Sequence, residues 1–325
     1  MLPIASSNPV TIAYYKMIFN FMGDLVGLKG YNRPMPATFE RDFRVRYYEC
    51  DAFGHLNNAN YLRYMQETAF DASASLGYDL KRYQAMNRLW WVRENEVEYL
   101  QPVYYSDVLR VKTWVADAQR ATSLRVYEVT NLSTGVLVAR GSTIWVYLDT
   151  KTGRPASIPD EVMLAYVPEG FPASQPERLP FPKAPPAPSG VFTTTRKVSW
   201  RDLDGQGHVN NVVYLEYAEE CGWQALAAYG WQVDQLMAEG HAVLVRKNQI
   251  RYRQPAALGD ELEISTYVSG VRHSTAMRHY FICRKNDGVL LAEIHALGVW
   301  VELATGRPKR FSTRFLESFG ENIVY

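Results

Sequence analysis

Between Asn58 and Leu76 the apolar side chains Tyr61, Leu62, Met65, Ala69, Ala72 and Leu76 fall at steps of one, three, four, three and four residues. That is the period of an α-helix with one face turned to a core. Tyr214, Leu215, Ala218, Gly222 and Ala225 repeat the same steps, so a second helix of the same kind is expected. Gly77 and Gly230 stand just past the two stripes, where a left-handed C-terminal cap is wanted, and Asn57 or Asn58 can cap the first N-terminus. After the first helix the pattern changes to runs rich in β-branched and aromatic residues, at 89–99, 108–115, 123–130 and 136–148, with turn signals at 131–135 and again at 285–288. A strand candidate precedes each helix, at 39–48 and 192–200. One long helix followed by antiparallel strands predicts an α+β fold in which a curled sheet wraps the helix.

The two helices belong to a longer repetition. Asp51, Gly54, His55, Asn57, Asn58 and Tyr61 recur as Asp204, Gly207, His208, Asn210, Asn211 and Tyr214, each pair 153 residues apart. The same offset carries Glu67 onto Glu220, Arg93 onto Arg246, Tyr99 onto Tyr252, Pro102 onto Pro255 and the tetrapeptide 152–155 onto 305–308. A constant offset over such a length is a tandem duplication and does not arise from composition. The length of 325 residues agrees with two domains. The organisation read from this is an N-terminal extension at 1–38 with an amphipathic helix, a first domain at 39–165, a proline-rich linker at 166–191 and a second domain at 192–325. Proline fixes φ and cannot donate to a ladder, so the linker is expected to be an extended tether.

Composition narrows the partners. Thirty-five basic against 34 acidic residues leave no global field for a polyanion, so nucleic acid is not expected. The apolar run at 10–26 is interrupted by Lys16, Asn20 and Asp24, so no integral membrane segment is expected. Three cysteines without a zinc spacing fit a reduced, cytoplasmic protein. No glycine-rich phosphate loop, metal motif or nucleophile elbow occurs, and no cofactor is implied.

The candidate chemistry lies in the eight residues before each helix, 51–58 and 204–211, each with one Asp, one His and two Asn. The first turn of a helix offers unpaired N–H groups and the positive end of its dipole, which can hold a carbonyl oxygen as it becomes an oxyanion. A carboxylate beside that point can activate water or attack directly. Asp and Asn are equally at home in structural turns, and spacing alone leaves both readings open.

The string at 44–70, RVRYYECDAFGHLNNANYLRYMQETAF, closely resembles the opening of hotdog-fold thioesterases of the 4-hydroxybenzoyl-CoA thioesterase-like type. The string at 200–217, WRDLDGQGHVNNVVYLEY, resembles that pattern and also the corresponding stretch of acyl-ACP thioesterases, which are double hotdogs. The resemblance implies a tandem double hotdog working as an intramolecular pseudo-dimer, with sites at the seam and room for further homo-oligomerisation. It puts Asp51 and Asp204 in the place of the family's catalytic aspartate, with a backbone N–H near Asn58 and Asn211 as the oxyanion contact. His55 and His208 take either an orienting or a proton-transfer role. The helical acids Glu67 and Glu220 are read as structural.

The acyl-ACP branch carries Asn and His two and four residues after the aspartate. Here those places hold Phe53 and His55 in the first copy, and Gln206 and His208 in the second. A later glutamate of that branch has no counterpart at 252–255, which favours an acyl-CoA thioester as substrate, with acyl-ACP as the alternative. A non-catalytic acyl-binding module is the rival from another class, and Phe53 makes the first copy the better candidate for it. An ordinary aspartate titrates near about 3.9, and a helix N-terminus lowers it further, so a basic role requires burial to raise it.

Overall fold

The computed structural model describes residues 36–171 and 178–325; the helix expected at the N-terminus lies outside them. The two apolar stripes form helices of 18 residues, α1 (Asn58–Ser75) and α4 (Asn211–Ala228). Asn57 and Asn210 are the N-caps, their side-chain oxygens accepting the N–H of Ala59 and Val212. Gly77 and Gly230 take φ of +81° and +83°, the left-handed conformation the caps require. Short helices that the periodicity did not disclose follow each long one, α2 (Leu80–Ala85) and α5 (Val233–Ala238). Two more close the copies, α3 (Asp160–Tyr166) and α6 (Thr313–Ser318). Six or seven residues are too few to show a helical period. Among the described residues no helix is long and apolar enough to cross a membrane.

The strands of the first copy are β1 (Phe39–Arg44), β2 (Arg88–Tyr99), β3 (Val108–Gln119), β4 (Thr122–Asn131), β5 (Val136–Asp149) and the short β6 (Arg154–Pro155). Those of the second are β7 (Phe192–Lys197), β8 (His241–Tyr252), β9 (Glu261–Ser269), β10 (Thr275–Arg284), β11 (Leu290–Glu302), β12 (Arg307–Pro308) and β13 (Ile323–Val324). They join in one sheet whose path runs β1-β3-β4-β5-β2-β8-β11-β10-β9, with β7 also paired to β9. The second half retraces the first in reverse order. This is the tandem double hotdog, an α+β fold with a curled sheet around each long helix. One hydrophobic core crosses both copies, taking Leu62, Met65 and Ala69 from α1, Leu215, Ala218 and Cys221 from α4, and inward residues of both half-sheets.

The halves meet where β2 lies antiparallel to β8, from Glu94↔Arg251 through Glu96↔Gln249 to Glu98↔Lys247. Glu96 and Gln249 are the same position of the two copies, so a local two-fold axis passes between them. Charges across the seam are opposite: Arg251 meets Glu94 at 3.0 Å, Lys247 meets Glu96 at 2.6 Å and Arg246 meets Glu98 at 3.2 Å. On the helices, Arg63 and Glu216, again equivalent positions, pair at 2.6 Å.

The copies also exchange volume in the core. A Cβ on Gly141 would stand 2.6 Å from Met65 Cε and 2.8 Å from the Glu96 carbonyl, whereas the second copy has Ala218 and Ile294 at those two positions, both buried. The small residue sits on the sheet in one copy and on the helix in the other.

The linker begins later than the sequence suggested. Tyr166 and Val167, assigned to it, are buried with Tyr83, Tyr147 and Val162 in the first copy, because the unforeseen α3 carries them inward. Residues 178–190 run in irregular backbone, as a proline-rich tether should, but the segment is docked. Arg178 bonds Asp117 of β3, Phe181 is buried with its ring 5.0 Å from that of His295, and the Tyr267 hydroxyl donates to the Pro185 carbonyl.

Because the seam is held by complementary charge, Glu96→Lys should lower the unfolding free energy by about 0.5–1 kcal/mol, the usual worth of a partly exposed cross-strand pair. Adding Lys247→Glu should restore most of it. Urea denaturation of the wild type, both single variants and the double variant measures the coupling, which should shrink in high salt.

Candidate active site

Each Asp-to-Asn turn is a small closed loop. Asp51 N–H donates to the His55 carbonyl at 2.8 Å and Gly54 N–H to the Asp51 carbonyl at 3.0 Å; Asp204, His208 and Gly207 repeat both bonds. Gly54 and Gly207 have φ near +80°, which is why glycine stands there. The loop is fixed to the sheet by Leu56 N–H on the Val103 carbonyl and by Val209 N–H on the Ala256 carbonyl. Beneath the first loop Glu49 is buried, accepting from the Tyr64 hydroxyl at 2.7 Å.

The aspartate oxygens are held by backbone. Asp51 Oδ1 accepts from the N–H of Phe53 and His55, at 2.9 and 3.0 Å, and Asp204 Oδ1 from the N–H of Gln206 at 2.8 Å. In neither case does a hydrogen bond join the imidazole to the carboxylate. The His55 ring packs on Tyr104 at 5.3 Å and the His208 ring on Trp91 at 5.8 Å. This geometry fits an orienting role better than direct proton exchange with the aspartate. Burial pushes the Asp51 carboxyl above its ordinary value, against the downward pull of the His55 and Phe53 N–H groups and the His55 charge. Asp204 is exposed.

Asn58 and Asn211 are the first residues of α1 and α4, so their N–H groups have no intrahelical acceptor to reach. What stands opposite each differs, because each helix N-terminus is completed by the other copy. At Asn58 it is Glu219 of α4, whereas the equivalent residue of α1, Gln66, lines a recess together with Asn211. Glu219 Oε1 accepts from Asn58 Nδ2 at 3.0 Å and Oε2 from Asn57 Nδ2 at 3.4 Å. Burial pushes its carboxyl up to about 7, against the Asn58 and Asn57 amides, with Glu216 and Asp51 adding to the rise.

Around Asp204 the two copies line an open recess. Its polar wall comes from the second copy, with Asp204, Gln206, His208, Asn211 and Gln254. Its apolar wall comes mainly from the first, with Phe70, Trp90, Trp91, Val92 and Trp145. At the positions equivalent to Trp90, Trp91 and Trp145 the second copy has Val243, Leu244 and Gly298.

Thus Asp204, His208 and Asn211 converge on one recess, while in the first copy Asn58 is bonded to Glu219 with Asp51 nearby and the His55 ring lies on Tyr104. Glu67 bonds Arg41 and Glu220 bonds Gln224, both at the surface. The helical acid that reaches a site is therefore Glu219, one residue before Glu220. The offset of 153 already pairs it with Gln66, and the change of charge between these matched positions was the available signal. Arg246 is paired at the seam with Glu98, and Arg125 is buried beside Thr113.

Residues 36–166 match the family described as acyl-ACP thioesterase N-terminal domain, and residues 198–319 match the thioesterase-like superfamily. The palmitoyl-acyl carrier protein thioesterase of Cuphea hookeriana is 27% identical over 193 residues, covering 56% of this chain and 46% of the relative. The chain thus spans about half the length of the curated plant relatives it matches. A protein of Aquifex aeolicus described as an esterase is 30% identical over 129 residues, covering 40% of this chain and 96% of that one. Among solved structures, the 12:0-ACP thioesterase of Umbellularia californica superimposes with a TM-score of 0.64 at 20% identity, over 88% of this chain and 97% of the other. With both halves matched and the double fold shared, this chain belongs to the hotdog-fold thioesterases.

Proposed function

We propose that this protein hydrolyses acyl-ACP thioesters at the Asp204 site, releasing a fatty acid and the carrier thiol. The observation that carries this reading is the recess itself, which joins an aromatic wall to a carboxylate and a helix N-terminus. The acyl chain lies against Phe70, Trp91 and Trp145, and the thioester carbonyl faces the first turn of α4. Water adds to the carbonyl carbon, the C–S bond breaks, and sulfur leaves as the thiol. Asp204, exposed until an acyl chain covers the recess, delivers the oxygen, either by taking a proton from water once it is so buried or by attacking the carbon to form an anhydride that water then opens. The Asn211 N–H and the α4 dipole stabilise the oxyanion, an effect worth about 10²–10³ in rate per donor.

The carrier is favoured over coenzyme A for two reasons. The first copy matches the acyl-ACP thioesterase family, and the named plant relatives act on acyl carrier protein. In addition, the seam arginines Arg246 and Arg251 already neutralise Glu98 and Glu94. The missing later glutamate, which on sequence favoured acyl-CoA, carries less weight, because Gln254 occupies the recess wall where that stretch passes Asp204.

Thiol release from matched acyl-ACP and acyl-CoA substrates tests the carrier: kcat/KM should be at least about tenfold higher for acyl-ACP, and parity or a preference for CoA would overturn it. Asp204→Asn should lower kcat by about 10²–10⁴, the usual contribution of a positioned acid or base, with little change in melting temperature because Asp204 is exposed. Trp145→Ala deepens the aromatic wall and should shift the preferred acyl length upward by a few methylenes, each worth about 0.8 kcal/mol when buried. An unchanged chain-length profile from a folded Trp145→Ala variant would remove the acyl chain from this recess.

A further inference from the structure

The duplicated chain presents two helix N-termini with an aspartate beside each, yet the two are not chemically equal. At the Asp204 end the residue reaching across from the other copy is the neutral Gln66. At the Asp51 end it is Glu219, whose two carboxyl oxygens occupy the side-chain amides of Asn58 and Asn57, at 3.0 and 3.4 Å. A thioester carbonyl arriving there would compete with a carboxyl group already bonded at the helix terminus. On attack it would set a developing oxyanion beside Asp51 and Glu219, adding a further negative charge to that small volume, where like charges oppose one another strongly.

A second difference points the same way. Where the Asp204 loop has Gln206, the Asp51 loop has Phe53, whose ring lies 6.5 Å from His55 and 6.2 Å from Trp223 of α4. Trp223 is the counterpart of the recess residue Phe70 and packs against the second copy's aromatic cluster. The loop position that is polar beside Asp204 thus carries an aromatic ring beside Asp51.

We propose that Glu219 shuts the Asp51 site to hydrolysis, so that the Asp204 site alone turns over thioesters. The proposal rests on the thioesterase reading above. Glu219 acts here as a positioning residue that holds Asn57 and Asn58 away from substrate. Replacing it with the glutamine found at its counterpart removes the charge and keeps the size.

The test is a gain of activity. In thiol-release assays of the full chain, Asp204→Asn should retain 1% or less of wild-type kcat, in line with a loss of about 10² or more. The double variant Asp204→Asn/Glu219→Gln should then recover at least about tenfold over Asp204→Asn. Adding Asp51→Asn should abolish the recovered activity, a dependence that a merely structural effect of Glu219 would not produce. Glu219→Ala in the Asp204→Asn background is the second variant, and circular dichroism checks that each chain folds. If Asp204→Asn keeps about half of wild-type activity, the Asp51 site is open as it stands and the proposal is overturned. It is equally overturned if neither folded Glu219 variant gains activity. A wild-type protein that releases no thiol overturns the function itself, so the two failures are distinguishable.

Discussion

The pairing of β2 with β8 is the constraint on which both sites depend. Five residue pairs, from Glu94↔Arg251 to Glu98↔Lys247, make one sheet of two half-sheets and bring α1 and α4 side by side on its concave face. Only that arrangement lets Gln66 and Phe70 of α1 reach the N-terminus of α4, and Glu219 the N-terminus of α1. A displacement of β8 along β2 by one residue would turn its side chains to the opposite face and dismantle both junctions. The acidic stretch at 94–98 and the basic residues at 246–251 oppose such slippage, since each charge has its partner in one register.

Much of this was legible in the sequence, and for identifiable reasons. The α period of the two stripes is a local signal, and the offset of 153 multiplies it by two, so the long helices, the principal strands and the duplicated Asp-to-Asn turns could be read directly. The first N-cap was narrowed to Asn57 or Asn58 by chemistry alone, and Asn57 is the one that caps. The short helices α2, α3, α5 and α6 were not legible because six or seven residues hold under two turns. That is why Tyr166 and Val167 were given to the linker although they are buried in the first copy.

The candidate site was half legible. Asp204, His208 and Asn211 come from one continuous stretch, so their proximity is written in the chain. The aromatic wall is not, because Phe70, Trp90 and Trp145 reach Asp204 only through the seam. Glu219 was hidden for the same reason: it is 161 residues from Asn58, and on its own helix nothing distinguishes it from its neighbour Glu220. The sequence left the two histidines between an orienting and a proton-transfer role. Their rings lie on Tyr104 and Trp91, and in the first loop it is the His55 backbone N–H that holds the aspartate.

Tandem fusion explains why the two sites could diverge. In a symmetric dimer of one unit, a residue on the two-fold axis faces its own copy, so Arg would meet Arg, and a helical acid introduced at one site would appear at both. Covalent joining removes that identity. Arg63 can face Glu216 and Glu96 can face Gln249 and Lys247, pairings that no self-association of a single copy offers. Once these made each copy complementary to the other rather than to itself, position 66 could stay neutral while position 219 became acidic. The aromatic wall could likewise grow in the first copy while Val243, Leu244 and Gly298 kept the second one small. Asymmetry at the seam is thus the physical condition for asymmetry at the sites, and the same opposite charges that hold the halves together are what released them from being alike.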